Sequence, residues 1–172
     1  MGTINYKTSD YITIGIEPLC SYDIERDEDL LSEVIECYGN YDGAITDYIA
    51  DYERDLYDEA EAILNNYDFY FYHVVLEPGY YEGFSLNIEN NFPVFFDDYK
   101  ERAEALKEIT QIKKLMLDLV EAGLVACYPG WCTGYADYKK TKKEVNQAIK
   151  EMRTEARFTP TYNQYKREAC YE

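Results

Sequence analysis

The sequence contains one histidine, His73, in an aromatic and β-branched run that predicts a strand. Nucleophilic catalysis would need a thiol close to this imidazole, and Cys132, in the stretch Pro-Gly-Trp-Cys-Thr-Gly, is the candidate. We favour the alternative, a core histidine and an ordinary thiol. Glu77 and Glu82 flank a predicted hairpin loop, but two acids in an acidic protein are weak evidence for acid–base catalysis. With no Walker, Gly-rich phosphate-loop or GxSxG motif, we expect no enzyme.

Metal binding was considered at two places in the chain. Cys127 and Cys132 could join His73 at a zinc ion, but no fourth ligand has a recognisable spacing. The acid-rich segment Asp23–Asp29 lacks the glycine and the terminal glutamate of a calcium-binding EF-hand loop. We therefore expect no metal and no cofactor.

The strongest pattern is a row of acids on a predicted helix over residues 44–64. Between Asp23 and Asp68 there are 16 acids and two bases, and acids repeated at a spacing of four residues destabilise a helix. Successive carboxylates are about 6 Å apart along such a helix, of the same order as the axial rise of roughly 3.4 Å per phosphate along a nucleic-acid strand. The expected partner-binding residues are carboxylates with interleaved tyrosines: Asp47, Asp51, Asp55, Asp58, Glu59, Tyr48, Tyr52 and Tyr57.

This row has two interpretations, and the sequence leaves both open. In the first, the carboxylates mimic nucleic-acid phosphates and occupy a basic groove, with exposed tyrosines as anchors. In the second, the row is a solvated acidic face that keeps the protein soluble, with its tyrosines partly in the core.

The charge of the whole chain restricts its partners. The net charge is −17 over 172 residues, and residues 1–100 hold 23 acids against 4 bases, a net of −19. Such a charge repels nucleic acid and anionic membranes and favours the basic surface of a protein. A basic run opens the last predicted helix and could face the acidic half within the fold or across a homodimer: Lys139, Lys140, Lys142 and Lys143. Five cysteines without a disulfide rhythm, and no signal peptide, predict a cytoplasmic location.

The elements that would position these residues predict one α+β domain, 1–172. Its expected parts are an acidic strand-helix-helix part (1–68), a hairpin-helix-strand-helix part (69–159) and a C-terminal tail (160–172) that is docked or frayed. We expect about four mostly antiparallel strands and four helices, in a ferredoxin-like split βαβ order with an inserted acidic helix. One feature disagrees, because the run 69–76 is apolar on both faces, whereas this topology places it at an edge.

Two segments carry a resemblance: Pro-Gly-Tyr-Tyr-Glu-Gly-Phe-Ser-Leu-Asn-Ile-Glu-Asn-Asn-Phe-Pro over 78–93, and Gly-Trp-Cys-Thr-Gly-Tyr over 130–135. They are similar to uncharacterised small proteins of phages and mobile elements of Gram-positive bacteria. In size, acidity and tyrosine content the chain also resembles acidic anti-CRISPR proteins (type II-A, directed at Cas9) and antirestriction proteins that mimic DNA. These resemblances imply a non-catalytic inhibitor of a host nuclease in a bacterial cytoplasm. The alternative is a structural or regulatory interaction module, or a homodimer, of a phage or mobile element.

Overall fold

The computed structural model describes residues 13–15, 21–78, 84–127 and 138–170. In these ranges the chain forms ten elements in this order: β1 Thr13–Gly15, α1 Ser21–Arg26, α2 Glu28–Tyr38, α3 Ala44–Leu64, β2 Tyr72–Pro78, β3 Phe84–Asn90, α4 Tyr99–Glu121, β4 Val125–Cys127, α5 Tyr138–Phe158 and α6 Tyr162–Ala169. The expected α+β class is confirmed. The expected element count is not matched, because six helices occur where four were predicted, and only β2 and β3 are long strands. No helix in the described ranges is long and apolar enough to cross a membrane.

The sheet has the strand order β2-β3-β1-β4, and all its neighbouring strands are antiparallel. β2 and β3 form a seven-residue ladder from Tyr72 opposite Asn90 to Pro78 opposite Phe84. β1 lies between β3 and β4, with the Cα of Ile14 opposite Leu86 on one side and Ala126 on the other. Each long connection passes one intervening strand, and α4 and the second half of α3 pack in the same hydrophobic cluster as the strands.

The main core lies between the sheet and the helices α4 and α5. The four residues predicted to point inward from α5 are all buried: Val145, Ile149, Met152 and Ala156. On α4 the predicted stripe is correct from Ile109 onward, but Ala103 is exposed and Leu106 is half-buried. The first turns of α4 bury Ala105 and Glu108 instead. The buried face is therefore rotated slightly from the predicted one.

A second, smaller cluster holds the first three helices together. It contains the buried side chains Ile24, Val34 and Ala44, and partly buried residues such as Leu30 and Ile49 pack against it. Asp27 caps α2 as predicted, because its Oδ1 accepts hydrogen bonds from the N–H groups of the second and third residues after it at 3.1 Å. Residues 21–64, called the acidic lobe below, thus have their own small hydrophobic centre.

The prediction of a strand over 69–76 needs correction. β2 begins at Tyr72, so the apolar residues before it belong to the connection from α3 and not to the sheet. Phe71 is buried in the core, whereas His73 is exposed, so the interpretation of His73 as a core histidine is wrong. β2 lies at an edge of the sheet. The double-sided apolar pattern arose because the end of a connection that buries Phe71 and an edge strand follow each other without a break.

This connection is fixed to α4 by one buried carboxylate. Glu108 Oε1 accepts the N–H of Phe71 and of Tyr72, both at 2.9 Å, and Oε2 accepts the N–H of Tyr70 at 3.1 Å. The side chain is only 8% exposed. Backbone N–H groups at the end of a connection have no ladder partner, so a buried carboxylate that binds three of them has a structural role.

The C-terminal tail is docked. The N–H of Phe96 donates to the carbonyl of Pro160 at 2.8 Å, and the N–H of Tyr162 donates to the carbonyl of Phe96 at 2.7 Å. α6 follows and packs on the segment before α4, although none of its residues is buried.

Candidate functional site

The acidic row lies on the outer face of α3, where the sequence placed it. α3 spans 44–64, the bounds predicted from the spacing of its apolar residues. Its inward side packs on both hydrophobic clusters, through Ile45 and Ile49 near its start and Leu56 and Ala60 further along. The predicted carboxylates occupy the opposite side: Asp47, Asp55, Asp58 and Glu59 are exposed, and Asp51 is half-buried.

Helix geometry makes this row compact and nearly straight. At about 100° per residue, Asp47, Asp51 and Asp58 lie within about 40° of one another around the axis, and Asp55 lies about 40° further round. At 1.5 Å per residue the row from Asp47 to Asp58 is about 17 Å long, the axial length of about five nucleotides of one strand. Glu59 is further round the helix, at the margin of this face.

The charges do not serve the stability of α3. Only Asp47 lies in the first turn, where the helix dipole favours an acid, and the last turn contains no base. Asp47–Asp51 and Asp51–Asp55 are like-charge pairs four residues apart, each of which costs a few tenths of a kcal/mol. Arg54 forms an ion pair with Asp51 within the row, but one base offsets little of this repulsion. The row is therefore maintained against the folding preference of the helix.

Two tyrosines orient the first carboxylates, one at the end of α2 and one in the connection to α3, a feature that the sequence did not reveal. Tyr38 donates its hydroxyl hydrogen to Asp51 Oδ2 at 2.6 Å, and Tyr41 donates to Asp47. Asp47 and Asp51 thus have fixed directions before any partner arrives.

The hydrogen bond to Asp51 raises the pKa of Tyr38 to about 12, because loss of the phenol proton would break the bond and bring two negative charges together. We expect Asp51→Asn to lower this pKa toward 10, measured by the NMR titration of a labelled tyrosine ring carbon. The matched control is Tyr67, which donates to Asp118 at 2.7 Å. Burial is the larger cause of its pKa of about 12, so Asp118→Asn should lower the pKa of Tyr67 less. Equal decreases in the pKa of the two tyrosines would contradict the hydrogen bond from Tyr38 to Asp51 as the main cause of the raised pKa of Tyr38.

The three tyrosines predicted to contact a partner are not equally available. Tyr48 is half-buried and meets Tyr38 edge to face at 5.9 Å. Tyr57 is half-buried and meets Phe84 of β3 in the same way at 5.2 Å. Tyr52 is 36% exposed, whereas Tyr22 and Tyr41 expose about half of their surface. Tyr48 and Tyr57 are thus committed to packing, and the exposed aromatic surface of the acidic lobe is at Tyr22 and Tyr41.

The other candidate chemistry is only partly within the described ranges. Cys132 and Glu82 lie outside them, as does the side chain of Cys127, so neither the thiol–imidazole pair nor the zinc site can be placed. Glu77 is exposed and accepts a hydrogen bond from the side-chain amide of Asn87 at 3.0 Å. Among described side chains, no three His, Cys, Asp or Glu residues form a group that could hold a metal ion.

An open cavity of about 280 Å³ lies beside the start of α4. Its walls include Tyr70, Glu104, Lys107 and Gln111, and Glu108 closes its inner end. Both oxygens of Glu108 already accept backbone hydrogen bonds, so this carboxylate is not available to a ligand. The other polar walls are exposed side chains of one helix and not a set of buried groups around a ligand site. The acidic face of α3 is therefore the stronger candidate.

No protein-family model, curated protein or solved structure matches this chain. The resemblances stated from the sequence therefore stay expectations, and the functional argument rests on the acidic lobe itself.

Proposed function

We propose that this protein is a non-catalytic inhibitor whose acidic lobe occupies the basic nucleic-acid-binding surface of a host defence nuclease. The observation that carries the proposal is the row Asp47, Asp51, Asp55 and Asp58 on the outer face of α3. Two members of this row are already oriented by tyrosine hydroxyls. A preorganised row of carboxylates loses little freedom on binding, which favours affinity for a groove built to hold phosphates.

The charge distribution supports a partner that is a basic protein rather than a nucleic acid or a membrane. The acidic lobe contains 15 acids and two bases, and exposed acids of α2, such as Glu33 and Glu36, widen the face beyond α3. The negative electrostatic field of this face accelerates association with a basic protein surface and repels anionic surfaces such as nucleic acids and membranes. The proposed partner is a Cas effector such as Cas9, or a restriction enzyme, in a bacterial cytoplasm.

The ferredoxin-like topology and the phage origin belong to the same proposal. The strand order β2-β3-β1-β4 and its antiparallel pairing support a split βαβ arrangement, in which α1–α3 fill the first crossover. The acidic lobe would then be an elaboration of that crossover on a small, common scaffold.

The test is direct binding to purified Cas9, and to a restriction enzyme in parallel, over a range of salt concentration. We expect binding at about 50 mM salt that weakens at least a hundredfold by about 500 mM, because exposed charge pairs are screened over this range. Duplex DNA should compete with the chain for the same surface. A basic protein that binds no nucleic acid is the control for non-specific attraction.

Two results would overturn the proposal. One is the absence of binding to either nuclease at low salt. The other is binding that DNA does not displace, or that is equally strong to the control protein, since this would show attraction of charge without occupation of a groove.

A further inference from the structure

A group of exposed apolar side chains surrounds the junction of α4, α5 and α6, at the opposite end of the molecule from the acidic lobe. We call it the aromatic corner, and it comprises the exposed Val94, Tyr99, Phe158, Tyr162 and Tyr165 together with the half-buried Phe95. Phe158 is 82% exposed and Tyr99 65% exposed. Aromatic side chains this exposed are unusual on a protein surface, so the corner requires an explanation.

The corner is held in place by the rest of the fold. The Phe95 ring lies 5.3 Å from that of Tyr162 and 5.0 Å from that of Tyr165. Arg102 of α4 donates to the carbonyl of Thr159 at 2.5 Å and to the side chain of Gln164 at 2.8 Å. The rings are therefore presented by a fixed scaffold, and binding through them would cost little ordering.

The exposed rings of the corner supply more than half of the area that one partner contributes to a standard interface. A fully exposed aromatic side chain presents roughly 200 Å², so the exposed parts of Tyr99, Phe158, Tyr162 and Tyr165 amount to on the order of 450 Å². Each partner in a standard interface contributes roughly 800 Å². The rings alone would supply more than half of that area, and the charged rim could supply the rest.

The position of the corner allows two copies to meet in spite of their charge. The acidic lobe meets α4 at its C-terminal end, where Leu56 of α3 lies near Gly123 and Tyr67, just after the lobe, donates to Asp118. The corner is at the N-terminal end, where Gln164 donates to the Tyr99 hydroxyl at 3.4 Å. α4 has 23 residues and is about 33 Å long, about three screening lengths at ordinary salt. Contact through the corner thus keeps the two acidic lobes apart.

The rim of the corner favours a second copy over a partner of one charge sign. Its exposed charges include three acids and four bases: Asp97, Asp98, Glu168, Lys100, Arg157, Lys166 and Arg167. A rim of mixed sign selects neither an acidic nor a basic partner. About a two-fold axis, however, the acids of one copy can meet the bases of the other, as an isologous interface requires.

We propose that the aromatic corner is the interface of a two-fold homodimer, whose second occupant is another copy of this chain. The dimer presents its two acidic lobes outward, at opposite ends. This inference rests on the corner and not on the inhibitory function proposed for the lobe, and the two differ in salt dependence. An apolar interface persists at high salt, whereas the lobe releases its partner.

The test is sedimentation velocity of the full chain over a range of micromolar concentrations, at low and high salt. We expect a monomer–dimer equilibrium that high salt does not weaken. Phe158→Ser should raise the dimer dissociation constant about tenfold to a hundredfold, since an aromatic anchor at an interface contributes on that scale. Tyr70→Ser is the matched control, because Tyr70 is 81% exposed but lies at the α3–β2 connection.

Both residues are so exposed that neither variant should lose its fold, and circular dichroism of each would verify this. A wild-type chain that stays monomeric at every concentration overturns the proposal. So does a dimer that Tyr70→Ser weakens as much as Phe158→Ser. Growth beyond the dimer also overturns it, because this would show a head-to-tail contact between a lobe and a corner.

Discussion

Glu108→Ala should lower the free energy of unfolding by about 3–5 kcal/mol, the largest stability effect that we expect from one substitution outside the apolar core. Three backbone N–H groups donate to this one carboxylate, and they would lose their acceptor inside the protein. The side chain is 8% exposed, and water entering from the neighbouring cavity would replace only part of what one carboxylate supplies to three N–H groups. Urea unfolding of the variant and the wild type at neutral pH measures the difference.

Two variants on the same helix serve as controls. Glu104→Ala removes an exposed carboxylate one turn earlier on α4 and should change the free energy of unfolding by less than about 0.5 kcal/mol. Glu108→Gln keeps one oxygen acceptor and should fall between Glu108→Ala and the wild type. A loss of less than about 1 kcal/mol in Glu108→Ala would show that the connection finds other partners.

The same residue predicts a pH dependence. Burial raises the pKa of Glu108 and outweighs the three N–H bonds, which lower it; the charge of Asp68 raises it further. The folded protein therefore holds this proton to a higher pH than the unfolded chain, whose glutamates titrate near 4.5. By linkage, the free energy of unfolding falls as the pH rises from about 4.5 to the folded pKa. Glu108→Gln should lack this fall, and urea unfolding at several pH values would detect it.

Neutralising the acidic row should abolish partner binding while preserving the fold. We expect the fourfold variant Asp47→Asn, Asp51→Asn, Asp55→Asn and Asp58→Asn to bind its nuclease at least a hundredfold more weakly at low salt, since a close charge pair at an interface contributes more than about 1 kcal/mol. Its free energy of unfolding should stay equal or rise, because like-charge repulsion along α3 is removed. Binding isotherms and urea unfolding of the same preparation separate the two effects.

The control variant must remove the same number of negative charges from another part of the protein surface. Glu77→Gln, Glu89→Gln, Glu104→Gln and Glu151→Gln remove four carboxylates that lie outside the acidic lobe and outside the aromatic corner. We expect this variant to bind within about threefold of the wild type, because distant charges act mainly through screened long-range attraction. Equal loss in both variants would mean that net charge, and not the row on α3, determines affinity.

The sequence predicted those elements that have a clear period or a clear boundary residue. The bounds of α3 agree with the structure because its apolar residues recur every three or four positions. Gly39 and Gly123 follow the ends of α2 and α4 as expected, and both have the positive φ that glycine tolerates. Helix α1 was missed because it has six residues and buries only Ile24. A single apolar residue gives no period to detect.

The features that depend on tertiary contact could not be predicted in the same way. Tyr38 and Asp51 are 13 residues apart on different helices, and no local pattern joins a phenol to its acceptor. Glu108 left a signal that could have been used. It occupies the apolar face of α4, between the buried Ala105 and Ile112. A charged residue on such a face indicates a buried hydrogen-bond partner. Here the partners are backbone N–H groups, and the sequence does not show which residues supply them.

The small hydrophobic centre of the acidic lobe affects which part of the molecule unfolds locally at the lowest free energy. Among the residues that the structure describes, three buried side chains hold α1, α2 and the start of α3 together, against 21 in the main cluster. Amide hydrogens in the lobe should therefore exchange with solvent through sub-global opening, at a lower energy than those of α4 and α5. Mutual repulsion of the lobe's carboxylates lowers that energy further. A bound cationic groove would remove the repulsion, so the lobe would be the part of the chain that a partner makes most rigid.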